Sequence, residues 1–129
     1  MMNWIAIAIG GAIGAVSRYG IAQAVIMING ANAAPLATIM VNVIGSGLMG
    51  VIYGYLSAGG MMAETVRVFI MIGFLGALTT FSTFSMDIMA AIDRGQIIYA
   101  VIYAAVSVAG SVLAFILAVL MMRAMSGAG

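Results

Sequence analysis

Between Thr79 and Ser85 the chain reads Thr-Thr-Phe-Ser-Thr-Phe-Ser, a dense set of hydroxyls and two aromatic rings inside an otherwise oily run. The tripeptide Thr-Phe-Ser occurs twice in succession, which puts Phe81 and Phe84 one helical turn apart and nearly on one face. An aromatic ring has a negative face and a positive edge. Rings presented edge-on therefore replace part of the water around a small anion, while Ser82 and Thr83 beside them donate hydrogen bonds. Cations would take the ring faces instead. The two rings also suit the plainer role of filling a helix interface.

Further polar residues fall at helical spacing elsewhere. Thr38 and Asn42 are four residues apart and share a face; both can donate to an anion, and an amide at this depth also commonly bonds a neighbouring helix. Tyr103, Ser107 and Ser111 recur at four-residue steps, so their hydroxyls form one polar stripe, unless the serines bond back to their own helix. Arg18 either lines a water-filled vestibule that concentrates anions or pairs with a carbonyl or carboxylate. Asp87 is the one carboxylate expected within an apolar run; it can neutralise an arginine, cap amides or carry a proton.

Composition sets the solvent in which these groups work. Of the 129 residues 66% are hydrophobic and 5% charged, too little polar surface to cover a water-soluble globule. Four apolar runs of about the 20 residues needed to cross hydrocarbon fit the chain, at 3–28, 35–56, 66–92 and 97–123. Short Gly- and Asn-containing connections separate them, leaving a single transmembrane domain over 1–129. The runs are too long and too continuously apolar for barrel strands, so the fold class is all-α. No basic leader with a cleavage site precedes the first run. The absence of cysteine and histidine removes disulfides, thiolate metal sites and the commonest general base, so an enzyme is not expected. The 13 methionines read as adaptable packing, not as a metal site.

Within the third run, Gly73 and Gly76 precede two consecutive β-branched threonines, which weakens helix propensity and places a possible unwinding at 76–80. Such a break frees carbonyls toward cations and gives the following half-helix an anion-favouring N-terminus. Gly10 and Gly14, and Ser46, Gly50 and Gly54, are small residues at four-residue steps, suited to close helix packing. Arg67 and Arg123 fall on the N-terminal side of the four spans and Arg94 on the other. So weak a bias either suffices for one orientation or lets the same chain insert both ways, with oppositely oriented copies pairing in the membrane.

These residues resemble the fluoride channels called Fluc or CrcB. The resemblance rests on Gly10-Gly11-Ala12-Ile13-Gly14-Ala15-Val16-Ser17-Arg18-Tyr19, on Val41-Asn42, and on the run from Gly73 through Ser85, in that order. It covers essentially the whole chain. It implies an antiparallel, dual-topology homodimer in the cell membrane, with two ion pathways that passively export fluoride and exclude chloride. Phe81 and Phe84 would present ring edges to fluoride, Asn42 and Thr38 would assist, and Tyr103, Ser107 and Ser111 would supply a polar track. Arg18 would lie in the vestibule. A central structural Na⁺ would be held by the Gly76 and Thr79 carbonyls of both subunits. Ala77 and Asp87 stand where many members have glycine and glutamate. Partners are then fluoride, lipid and a second copy of the chain, with no nucleic acid. The alternative is a small dual-topology proton-coupled multidrug exporter; it wants a carboxylate in the first two spans, which have none.

Overall fold

The computed structural model describes residues 1–127, and every regular element among them is helical. Helix α1 spans Met2–Asn29, a single 3₁₀ turn covers Ala31–Ala33, and α2 spans Ala34–Ser57. The third span is in two pieces, α3 over residues 64–78 and α4 over Ser82–Asp93, and α5 covers Ile97–Met125. Four of the resulting segments are long and apolar enough to cross a membrane. They begin and end close to where composition placed them, because a run of apolar residues in lipid has little choice but to bond its own backbone.

The helices turn back at places dictated by local chemistry. Gly30, at φ 88°, closes α1 in a backbone region that side chains rarely enter, and Pro35 sits in the first turn of α2, where its missing N–H has no helical partner to lose. The N-terminus of α1, the C-terminus of α2, the start of α3 and the C-terminus of α5 lie at one end of the bundle. There Asn3 donates to Glu64 at 3.2 Å and accepts from Thr65 at 2.9 Å, tying α1 to α3.

Lipid supplies no hydrophobic force to press helices together, so packing rests on close approach of backbones. The buried residues of α1 are Gly10, Gly14 and Val25, and its glycines meet α3 directly: a Cβ on Gly73 would lie 2.8 Å from the Ile7 carbonyl oxygen and 3.0 Å from Gly10 Cα. On the other side, Gly50 and Gly54 of α2 lie against Phe115, Val119 and Met122 of α5, with Tyr53 and Phe115 stacked at a tilt, 5.6 Å between centroids. Val41, Leu75 and Leu78 form the small buried core where α2 crosses the end of α3.

One feature of α3 has no counterpart in the sequence reading. Residues Val68–Leu75 are π-helical, with the Gly76 N–H reaching back to the Met71 carbonyl. This wider stretch is the part that lies on the glycine face of α1.

Gly73→Val should destabilise the protein by at least about 2 kcal/mol, since the added atoms meet backbone that cannot rotate away. Gly20→Ala, at a position with nothing within 4 Å, should leave stability unchanged or slightly raised. Thermal unfolding of both variants in detergent checks the contrast.

Candidate functional site

The site is organised by the interruption of the third span. Helix α3 stops at Leu78, Thr79 is extended at φ −78° and ψ 158°, and α4 resumes at Ser82. A break at this depth exposes peptide groups that must be satisfied by protein. Asn42 does so on both counts: its Nδ2 donates to the Thr80 carbonyl at 2.9 Å, and its Oδ1 accepts from the Thr80 N–H at 2.7 Å. The side-chain amide thereby stands in for the helical partners that Thr80 has lost.

The hydroxyls of the segment are largely turned inward to the same task. Thr79 Oγ1 donates to the Leu75 carbonyl at 2.9 Å, and Ser85 Oγ to that of Phe81 at 2.9 Å. Thr80 Oγ1 accepts the Thr83 N–H at 3.1 Å, capping the start of α4, and lies 3.1 Å from Thr83 Oγ1 and 3.3 Å from Ser82 Oγ. Gly45 of α2 makes room for the break, because a Cβ there would collide with the Thr79 methyl.

In front of the break lies a cavity of about 400 Å³. Asn42, Gly76, Thr79, Phe81, Phe84, Ser107 and Ser111 all line it, so seven of the residues singled out in sequence converge there. Thr80, Ser46, Val108 and Val112 complete the wall. Phe84 is buried, whereas Phe81 is 76% exposed. Their ring centroids are 5.4 Å apart with planes at 44°.

The aromatic column is longer than the pair. Phe84 lies 5.5 Å from Tyr103, and Tyr103 stacks on Tyr99 at 6.2 Å, so four rings run from the cavity toward the α4–α5 turn. Tyr99, Tyr103, Ser107 and Ser111 continue one four-residue spacing, the signal that would have extended the stripe by a turn. Ser46 likewise continues the spacing of Thr38 and Asn42.

Thr38 and Tyr103 do not line the front cavity. Each donates its hydroxyl to Asp87 Oδ2, both at 2.8 Å, so one carboxylate oxygen gathers side chains from α2 and α5 onto α4. Asp87 also borders a second cavity of about 620 Å³ at the end of the bundle, where Asn32, Arg94, Gln96 and Tyr99 are found. The sequence reading gave Arg94 little weight as a solvated loop residue; in the fold it shares this mouth with Asp87, held by its 3.3 Å bond to Gln96.

Arg18 is half-buried and opens onto a third cavity, about 260 Å³, behind the break. Thr38, Thr80 and Thr83 face the same space. Thr83 thus sits on the Arg18 side, and Ser82 is exposed, so neither joins the front cavity. Among the described residues no cluster of three or more acidic side chains is built to hold a metal ion, which leaves backbone oxygens as the ligands for any cation.

Four membrane-spanning helices, one of them broken around a polar and aromatic cavity, define a small multi-pass protein of the cell membrane. The chain belongs to the CrcB family: the family model described as "CrcB-like protein, Camphor Resistance (CrcB)" matches residues 5–119. Three curated relatives bear the name fluoride-specific ion channel FluC. That of Aeromonas salmonicida is 39% identical, covering 78% of this chain and 80% of the relative. That of Photobacterium profundum is 49% identical over 73% of each chain, and that of Aliivibrio salmonicida is 46% identical over 73% of this chain and 74% of its own.

Asn42→Ala leaves the Thr80 N–H and carbonyl without partners, and each such group costs about 1–3 kcal/mol. The variant should melt lower than the parent and exchange the Thr80 amide hydrogen faster, both measured on the protein in detergent; unchanged exchange would remove Asn42 from its bracing role.

Proposed function

We propose that this chain is a fluoride-selective ion channel that lets fluoride leave the cell passively. The observation that carries the reading is the front cavity, where the Phe84 ring, the Ser107 and Ser111 hydroxyls and the Asn42 amide meet beside a helix break. The names of the relatives point to the same ion. Fluoride is small and holds water tightly, so a pathway must replace water with donors at short range; hydroxyls do this directly and ring edges do it in part.

In this reading fluoride moves along α5, taking hydrogen bonds from Ser111 and Ser107 with Phe81 and Phe84 as walls. Farther on, the Tyr103 and Thr38 hydroxyls turn from Asp87 to the passing ion and back. The Asp87 carboxylate keeps both donors oriented between passages and repels an ion that lingers. Arg18 behind the break and Arg94 at the mouth offset that negative charge and raise the local anion concentration. Ser82 and Thr83 take lesser parts, at the exposed edge and on the Arg18 side.

Two copies in antiparallel orientation would complete the assembly, each contributing one pathway. The exposure of Phe81 and Gly76 on the face of the break supports a partner there. Residues suited to a central Na⁺ are present as well: the helix ends at Leu78, so the Gly76 carbonyl lacks the Thr80 N–H that Asn42 has taken, and Thr79 is extended beside the same cavity. Gly76 and Thr79 carbonyls from two chains would supply four oxygens, a donor set fit for a hard cation. Bound there, Na⁺ would supply positive charge that offsets the freed carbonyls.

Liposomes carrying the purified protein and loaded with potassium fluoride or potassium chloride test the reading once valinomycin is added. Rapid fluoride efflux with negligible chloride efflux is the expected result. Ser107→Ala removes a donor to a charged species, about 1.5–3 kcal/mol, and should slow fluoride efflux roughly 10- to 100-fold; Phe84→Ala should slow it as well. No efflux of either ion from folded protein would overturn the channel, and cation uptake driven by a pH gradient and lost in Asp87→Asn would establish a proton-coupled exporter instead.

A further inference from the structure

The end of the bundle that carries the N-terminus has a feature unrelated to the break. A groove of about 500 Å³ runs between α2 and α3, walled by Tyr53, Leu56, Met71 and Ile72, with Ser57 and Arg67 at its mouth. Arg67 is exposed. A second arginine reaches the same mouth: Arg123, in the last turn of α5, donates its Nε–H to Ser57 Oγ at 3.3 Å.

The hydrogen bonding around Ser57 fixes the geometry of this corner. Ser57 Oγ donates to the Gly54 carbonyl at 3.0 Å and so presents a lone pair to Arg123. That bond uses one of the five N–H donors of the guanidinium. The carboxylate of this end, Glu64, takes the amide of Asn3. Two guanidinium groups therefore flank one side of an apolar groove, at the level where a spanning helix meets the interface.

We propose that this groove is a binding site for an anionic phospholipid, with the phosphate between Arg67 and Arg123 and an acyl chain along Met71 and Ile72. The choice of occupant follows from the charge and the walls together. A free phosphate would use the arginines but leave the apolar channel unmatched, and a zwitterionic lipid would fill the channel but bring its own cation to a doubly positive mouth. Arginine is suited to the phosphate because its planar fork donates two parallel bonds. Ile72, 59% exposed in the single chain, lies where the acyl chain would cover it. The site stands apart from the front cavity and does not depend on which ion the chain conducts.

Native mass spectrometry of the protein in mild detergent tests this with phosphatidylglycerol and phosphatidylcholine of identical acyl chains. The protein should retain phosphatidylglycerol at least about fivefold over phosphatidylcholine, since one cation near a lipid surface contributes roughly that factor. The preference should vanish in Arg67→Gln/Arg123→Gln and largely survive in Arg67→Lys/Arg123→Lys. Both positions are exposed, so folding is not at stake. Equal retention of the two lipids, or a preference unchanged in the double glutamine variant, overturns the proposal. So does displacement of phosphatidylglycerol by millimolar inorganic phosphate, which would make this a headgroup site only. The chain has no cysteine, so Ile72→Cys introduces a unique thiol; cross-linking of two copies through it would show the groove covered by a second chain and would also overturn the lipid.

Discussion

Everything distinctive about this structure depends on how a backbone break is satisfied within a membrane-spanning segment. An unpaired peptide group in hydrocarbon costs several kcal/mol, so a helix does not stop and restart there unless protein supplies the missing bonds. Asn42 supplies two of them to a single residue, Thr80, in the manner of a neighbouring strand. That requirement fixes other positions in turn: α2 must lie against the break, Gly45 must leave room for the Thr79 methyl, and Thr80 must turn its hydroxyl to the start of α4.

The break also decides which polar groups remain free for chemistry. Thr79, Thr80, Thr83 and Ser85 are engaged with one another or with the local backbone, so the hydroxyl-rich motif is largely a device for making the interruption stable. The donors that face the front cavity come from the opposite wall, Ser107 and Ser111 on α5. Asp87 joins the two walls by accepting from Thr38 and Tyr103, and the tilted rings of Phe81, Phe84 and Tyr103 run alongside. For the proposed channel this divides labour between groups that hold the shape and groups that exchange partners with an ion.

Much of this was legible from local pattern. Continuous apolar runs announced four helices, because in lipid a helix of about 20 residues satisfies its own backbone and few alternatives do. The consecutive threonines after Gly76 announced the interruption, and the spacing of Tyr103, Ser107 and Ser111 announced a stripe. The widening of Val68–Leu75 into a π-helix was not legible: eight apolar residues look alike whether they bond at four or five positions back. Nor was Arg94, which reads as an ordinary loop residue until the fold brings it to the same mouth as Asp87.

By itself the sequence determined the solvent, the helical class, the place of the break and the set of polar side chains near it. It left open what each of those side chains would touch. Asn42 looked like a donor to an ion and became a brace for Thr80; Asp87 looked free to pair with an arginine and became the acceptor for Thr38 and Tyr103. Only tertiary structure decided these assignments. The partners are 38 and 49 residues apart for Asn42–Thr80 and Thr38–Asp87. Composition and periodicity describe neighbours within a turn or two, while the distance between two helices is set by which small residues allow their backbones to meet.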